Sequence, residues 1–403
     1  MIFVAAGVDG GRRRPLFCAR SAKPQAACCG VVAATLDVGG CFGTMNVMGA
    51  ALREFWAMGA AVLMIVVRVA LACAQELEAP LERPPAGAGS PSVEMAAPAR
   101  PAVAKGLAFL SQRQLENGAF STAGYGRNAA VVALAGMAWL AEGSTPGRGP
   151  YGEEIARATD YLLDHAQGSG FIAVEGAMSH GPMYEHGFAT LFLAEVYGMS
   201  PRDDLREKLA AAVDLIVRTQ NDEGGWRYQP VRQDADISVT VCQVMALRAA
   251  RNAGLKVPSE TIERSIDYVK RCQNADGGFR YMLTGGESAF PRSAAGVVTL
   301  LSAGVYEGPE IERGLTYLDR FLPRGGAVGQ DAHFFYGHYY AVQAMWHAGG
   351  ERWERWYPAV RDLLVARQQA DGAWADPICF EYGTAMACII LQMPENSVPI
   401  FQR

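Results

Sequence analysis

Asp234 and Asp236 stand two residues apart in Gln233-Asp234-Ala235-Asp236-Ile237-Ser238-Val239-Thr240, where a long apolar run begins. In a dry site a second carboxylate nearby raises the pKa of one member, leaving an acid that still holds its proton near neutral pH. That arrangement suits general acid catalysis. A carboxylate before an apolar run also suits a plainer role, capping a helix N-terminus and complementing its positive end.

Further polar groups recur in comparable places: Arg127 and Asn128; His180, Glu185 and His186; Glu287 and Arg292; Asp331, His333 and His338; Asp376 and Glu381. They include four of the six histidines. Aromatic residues lie among them, namely Tyr184, Phe290, Phe334, Phe335, Tyr336, Tyr339, Tyr340 and Tyr382. Phe334 to Tyr340 span nearly two helical turns, so these rings cannot all face one way. The histidines fit no compact metal-ligand spacing, and no cofactor is expected. Cys242, Cys272, Cys379 and Cys388 show no Cys-x-x-Cys spacing and read as buried thiols.

The elements that must position these groups form a repeat. A helical run, a Gln and a Gly-Gly-aromatic turn recur in Ala212–Trp226, Ser265–Phe279 and Val360–Trp374, with weaker copies at Gly106–Phe120 and Thr159–Phe171 and a degraded one at Gly314–Leu322. The first four copies start at Gly106, Thr159, Ala212 and Ser265, each 53 residues after the last. A period of this length means stacked supersecondary units sharing one core. Between each turn and the next start lies a second run, as in Asn128–Glu142 or Asp236–Ala253, apolar on most faces and therefore buried. The repeat-start helices mix apolar residues at i, i+3 and i+4 with charges and should be half exposed. Six inner and six outer helices predict an all-α (α/α)6 toroid whose turns bring the polar groups to one rim around an apolar interior.

The Gln-x3-Gly-Gly-Trp/Phe pattern resembles the QW repeat of squalene-cyclase and prenyltransferase-type α/α toroids, over residues 103–403. The resemblance implies that Gln220, Trp226, Gln273, Phe279, Gln368 and Trp374 tie neighbouring outer helices together. Residues 233–240 are similar to the DxDD motif of class II terpene cyclases, in which the middle Asp protonates an alkene or epoxide. That acid would be Asp236, tuned by Asp234, although Ile237 stands where the motif has a further Asp. An apolar isoprenoid or lipid would be the ligand, with Tyr184, His186, Phe290, Tyr336, His338, Tyr339 and Tyr382 lining its site. Phe335-Tyr336-Gly337-His338 is also similar to the segment bearing the zinc-binding His of protein prenyltransferases, which makes His338 the one carried-over metal candidate. The partner Asp-x-Cys is missing, because the preceding inner helix begins Phe290-Pro291-Arg292-Ser293. A third expectation is a noncatalytic toroid that binds lipid or protein. Covalent thioester capture is excluded because no Cys-Gly-Glu-Gln occurs.

With 50% hydrophobic residues and a net charge of −5, the chain suits a large globular core. Its basic residues are dispersed, which excludes the charge footprint of a nucleic-acid binder. Residues 1–47 have no helical or strand period and read as an upstream segment outside the folded domain. From Met48, Arg53, the apolar Ala57–Val67 and Ala72-Cys73-Ala74 form the pattern of an export signal or membrane anchor over 48–74, followed by a Pro-rich tether over 75–102. An exported protein is expected, membrane-associated if the segment is retained.

Overall fold

The computed structural model describes residues 95, 98–200, 202–323 and 333–402. Residues 1–47, the 48–74 segment, most of the Pro-rich stretch and Asp331 lie outside them. Among the described residues are twelve α-helices and no strand: α1 (Ala99–Arg113), α2 (Ala129–Ala141), α3 (Gly152–Asp164), α4 (Pro182–Met199), α5 (Asp203–Thr219), α6 (Ile237–Asn252), α7 (Ser259–Arg271), α8 (Phe290–Ser302), α9 (Pro309–Leu318), α10 (Phe334–Ala348), α11 (Gly350–Arg367) and α12 (Phe380–Gln392). No described helix is long and apolar enough to cross a membrane. The first helix starts inside the expected tether; Pro101 sits in its first turn, where a missing N–H breaks no helical bond.

The even-numbered helices form a closed inner ring. Each packs on the next from α2 to α12, and α12 returns to α2. Each odd-numbered helix lies outside, against the inner helices before and after it. Sequence separates the two layers. Every residue of α2 is buried, and its Gly136 lets the Phe192 ring of α4 approach to where a Cβ would stand. In α7 only Thr261, Ser265, Tyr268 and Val269 are buried, a stripe of one helical face, while the charges point outward.

The repeated turn is the joint between outer helices. Gln220 donates from Nε2 to its own turn at the Gly224 carbonyl (2.9 Å) and to the Thr261 carbonyl of α7 (2.8 Å). Gln114, Gln273 and Gln368 repeat this pair of bonds, the last reaching Ala102 of α1 at 2.8 Å and so closing the outer ring. The indoles bind backward: Trp226 Nε1 donates to Ile216 and Trp374 Nε1 to Leu364, each at 2.8 Å on its own preceding helix. Gly224 must be Gly. Its φ is +102°, and an added Cβ would lie 2.2 Å from the Arg264 carbonyl oxygen.

After α12 the tail folds back over the end of the ring opposite the turns. Its Val398, Ile400 and Phe401 are buried, and the Phe401 ring meets Tyr339 edge-on at 6.3 Å.

Candidate active site at the rim and lumen of the ring

Asp236 is the N-cap of α6 and has no solvent exposure. Its Oδ1 accepts from Val239 N at 2.9 Å, satisfying one of the free amides of the helix start. Its Oδ2 accepts the Tyr281 hydroxyl at 3.0 Å and lies 3.7 Å from Arg227 Nε. The Tyr281 hydroxyl in turn bonds that of Tyr228. Burial raises the Asp236 carboxyl to about 6, against the pull of the Val239 amide, the Tyr281 hydroxyl and the Arg227 cation. Tyr184, Tyr336 and Cys242 lie within electrostatic reach of the same carboxylate, and burial pushes all three groups upward, the thiol to about 12.

Several side chains span the lumen between helices that are not neighbours in the ring. The Tyr336 hydroxyl of α10 donates to the Ser238 carbonyl of α6 at 3.0 Å. Tyr340 meets Cys242 Sγ at 3.4 Å, and the Tyr339 ring meets Phe188 of α4 at 6.2 Å. At this level the interior that sequence predicts to be apolar is therefore crossed by phenols. Beside the rim, a cleft of about 180 Å³ opens between Asn221, Asp222, Glu223, Arg232, Gln233, Asp234 and the Met282–Thr284 loop, outside the lumen.

Five of the residues singled out from sequence gather here: Asp236, Tyr184, Tyr336, Tyr339 and Tyr382. The last is buried within electrostatic reach of Cys242 and Tyr339. Asp234 is half exposed and pairs with Arg227, so the two carboxylates are joined through a cation and not by a shared proton. His186 points away from the lumen. Two residues along a helix from Tyr184 is ~200° of rotation, and both ring nitrogens are used, Nδ1 accepting from Ile172 N and Nε2 meeting the Ala212 carbonyl, each at 3.2 Å. His338 is turned outward from Tyr336 by the same spacing, into the rings of Phe290, Phe334 and Trp356. Burial lowers His186 to about 4 and His338 to about 3. Phe290 stacks on Phe321 and Trp356 on that outer side. Among the described residues no three His, Cys, Asp or Glu side chains are grouped to hold a metal ion.

Sequence reasoning misses Arg227, Tyr228 and Tyr281, although a signal is present. Gly-Gly-Trp-Arg-Tyr and Gly-Gly-Phe-Arg-Tyr place Tyr228 and Tyr281 at the same point of successive repeats, 53 residues apart.

The sequence profile of the prenyltransferase alpha-alpha toroid domain matches residues 133–316 and 198–373, together more than half the chain. The chain belongs to the prenyltransferase alpha-alpha toroid family. No curated protein sequence matches it. Among solved structures, the toroid is similar to the type II terpene cyclase MstE from Scytonema (TM-score 0.52, 14% identity, covering 75% of this chain and 99% of that one). A complex of a substituted MstE with its substrate, geranylgeranyl dihydroxybenzoate, is equally similar (0.52, 14%, 75% and 98%). So is an inactive variant of an alpha-1,6-mannanase of Salegentibacter bound to alpha-1,6-mannotriose (0.53, 8%, 74% and 99%). At such identities the likeness shows the toroid and leaves chemistry to the site.

Proposed function

We propose that this toroid is a terpene-cyclase-like enzyme that protonates an isoprenoid or related alkene from Asp236. The observation that carries the reading is a fully buried carboxyl, raised to about 6, at the rim of a tyrosine-lined lumen. An alkene is a weak base, so its acid must be kept protonated by a dry site. The proton leaves Oδ2 for an alkene carbon, which makes a new C–H bond and a carbocation. The carboxylate left behind is held by the Val239 amide, the Tyr281 hydroxyl and Arg227, contacts that strengthen as charge develops. After ring closure the cation loses a proton from an adjacent carbon, which leaves a new alkene, and Tyr228 and Tyr281 offer a hydroxyl path for returning a proton to Asp236 Oδ2. The phenol faces of Tyr184, Tyr336, Tyr339 and Tyr382 would steady the cation.

The test is incubation of the protein with squalene and shorter polyprenes, with products resolved by gas chromatography and mass spectrometry. Cyclised product lost in Asp236→Asn supports the reading. Product that survives the substitution, or no product from the wild type, sinks it.

A noncatalytic ligand-binding toroid is the second reading, favoured by the tyrosines that cross the lumen and by Arg227, whose charge favours an ionised Asp236. A co-purifying lipid without turnover would support it. Zinc-dependent prenyl transfer gains no support, since His338 faces outward among aromatic rings. Export through 48–74 is part of the proposal, and N-terminal sequencing of the mature protein tests it.

A further inference from the structure

The mechanism above uses the rim of the lumen and the ring face of Tyr339, and leaves the Tyr339 hydroxyl and the lumen beyond it unexplained. Glu195 of α4 is 4% exposed, and neither carboxyl oxygen has a hydrogen-bond partner. It stands 11 residues after Tyr184, about three turns and ~16 Å further along the same helix face. Phe188, between them, lies on that face and reaches Tyr339 across the lumen. The Tyr339 hydroxyl is also buried and unpartnered, within electrostatic reach of Glu195. The nearby Gln343 amide is spent on the Tyr339 backbone carbonyl at 2.9 Å. Ile400 and Phe401 of the tail close this end, with the Ile400 amide beside Glu195 but outside hydrogen-bonding geometry.

We propose that the deep lumen, bounded by Glu195, Tyr339, Ile400 and Phe401, is a subsite for a neutral oxygen function of the ligand, a hydroxyl, at the end remote from Asp236. Buried polar atoms are normally satisfied, and two such groups left without partners and within electrostatic reach of each other mark a place for a hydrogen-bonding partner. The charge balance narrows its class. Among the described residues the cation that acts on Glu195 is Arg248, and its guanidinium already donates to the Leu301 carbonyl at 3.0 Å and lies over the Tyr306 ring. A diphosphate would be buried there without the several cations it needs. A pure hydrocarbon would leave both groups unsatisfied. Burial raises the Glu195 carboxyl to about 8, so at neutral pH it offers one donor and one acceptor, the complement of a hydroxyl.

The inference rests on the lumen being the ligand site, and its test separates the two. Equilibrium binding of labelled farnesol and of farnesane, the saturated hydrocarbon with the same carbon skeleton, is measured on the full chain and on Glu195→Leu and Glu195→Gln. Glu195→Leu is expected to weaken farnesol roughly tenfold, for one or two buried hydrogen bonds lost, and to leave farnesane unchanged. Glu195→Gln, which keeps a donor and an acceptor, should retain most of the farnesol affinity. Equal loss of both ligands, an unchanged farnesol affinity, or no farnesol binding to the wild type overturns the subsite. If Glu195→Leu does not fold, the infrared carbonyl band of protonated Glu195, assigned by its loss in Glu195→Gln, should move on adding farnesol and stay put with farnesane; a band that ignores farnesol overturns the proposal. Asp236-dependent cyclisation with Glu195-independent farnesol binding would sink this inference alone. Glu195-dependent binding without cyclisation would sink only the acid chemistry.

Discussion

Tyr281, in the turn that leads to the fourth inner helix, donates its hydroxyl to Asp236 at the head of the third, 3.0 Å away. A donor to the ionised form lowers a carboxyl pKa. Tyr281→Phe should therefore move Asp236 upward from about 6, by roughly one unit for a hydrogen bond worth ~1.4 kcal/mol. A carbon-13 NMR titration of the Asp236 carboxyl measures this without any substrate. If turnover is found, the alkaline limb of its pH profile should move the same way.

The raised carboxyl also has a consequence for stability. The native pKa of about 6 exceeds the ordinary 3.8, so between these values the folded chain holds more protons than the unfolded one. The contribution is complete below about pH 4 and is lost as pH rises through about 6. Asp236→Asn keeps a capping acceptor and does not ionise. Relative to wild type, its Tm should rise across that window and then level, for a gain on the order of 1–3 kcal/mol. A Tm difference that is flat from pH 4 to 7 would contradict it.

Gln220→Ala removes two buried bonds, to Gly224 and Thr261, and should cost ~1–3 kcal/mol in urea unfolding. Gln368→Ala removes the equivalent pair at the seam between α11 and α1. A comparable loss is expected there, with a lower m-value if the seam opens before the rest of the ring.

Gly224 and Gly143 both have positive φ, +102° and +106°, but only Gly224 faces a neighbouring carbonyl. Gly143→Ala should cost ~1 kcal/mol, for backbone strain alone. Gly224→Ala adds a clash with Arg264 and should cost about 3 kcal/mol or more, or prevent folding. Equal costs would mean that the close approach of turn and helix is unimportant.

Much of this architecture is legible in the sequence, because the joint is local chemistry written repeatedly. A Gln, a left-handed Gly and a large ring recur at fixed offsets, and the apolar pattern separates α2 from α7 by layer. The site is less legible because polarity near a turn does not say which way a side chain points. Glu185 reads as a rim group, yet its carboxylate is buried accepting from Ala129 N and Val174 N. Glu381 pairs with Arg113 of α1. His186 and His338 sit two residues from lumen tyrosines and so face the other way. Arg227, which sets the charge around both Asp234 and Asp236, follows a Trp that draws attention to itself.

The bond from Gln368 to Ala102 joins residues 266 positions apart. A chain emerging from the ribosome therefore makes α1 early and must wait for α11 and α12 before its last two faces are covered. Until then it is an open arc with apolar helix edges at both ends, the kind of intermediate that associates with its own copies. Chains interrupted before Phe380, where α12 begins, should accumulate as chaperone-bound or aggregated arcs.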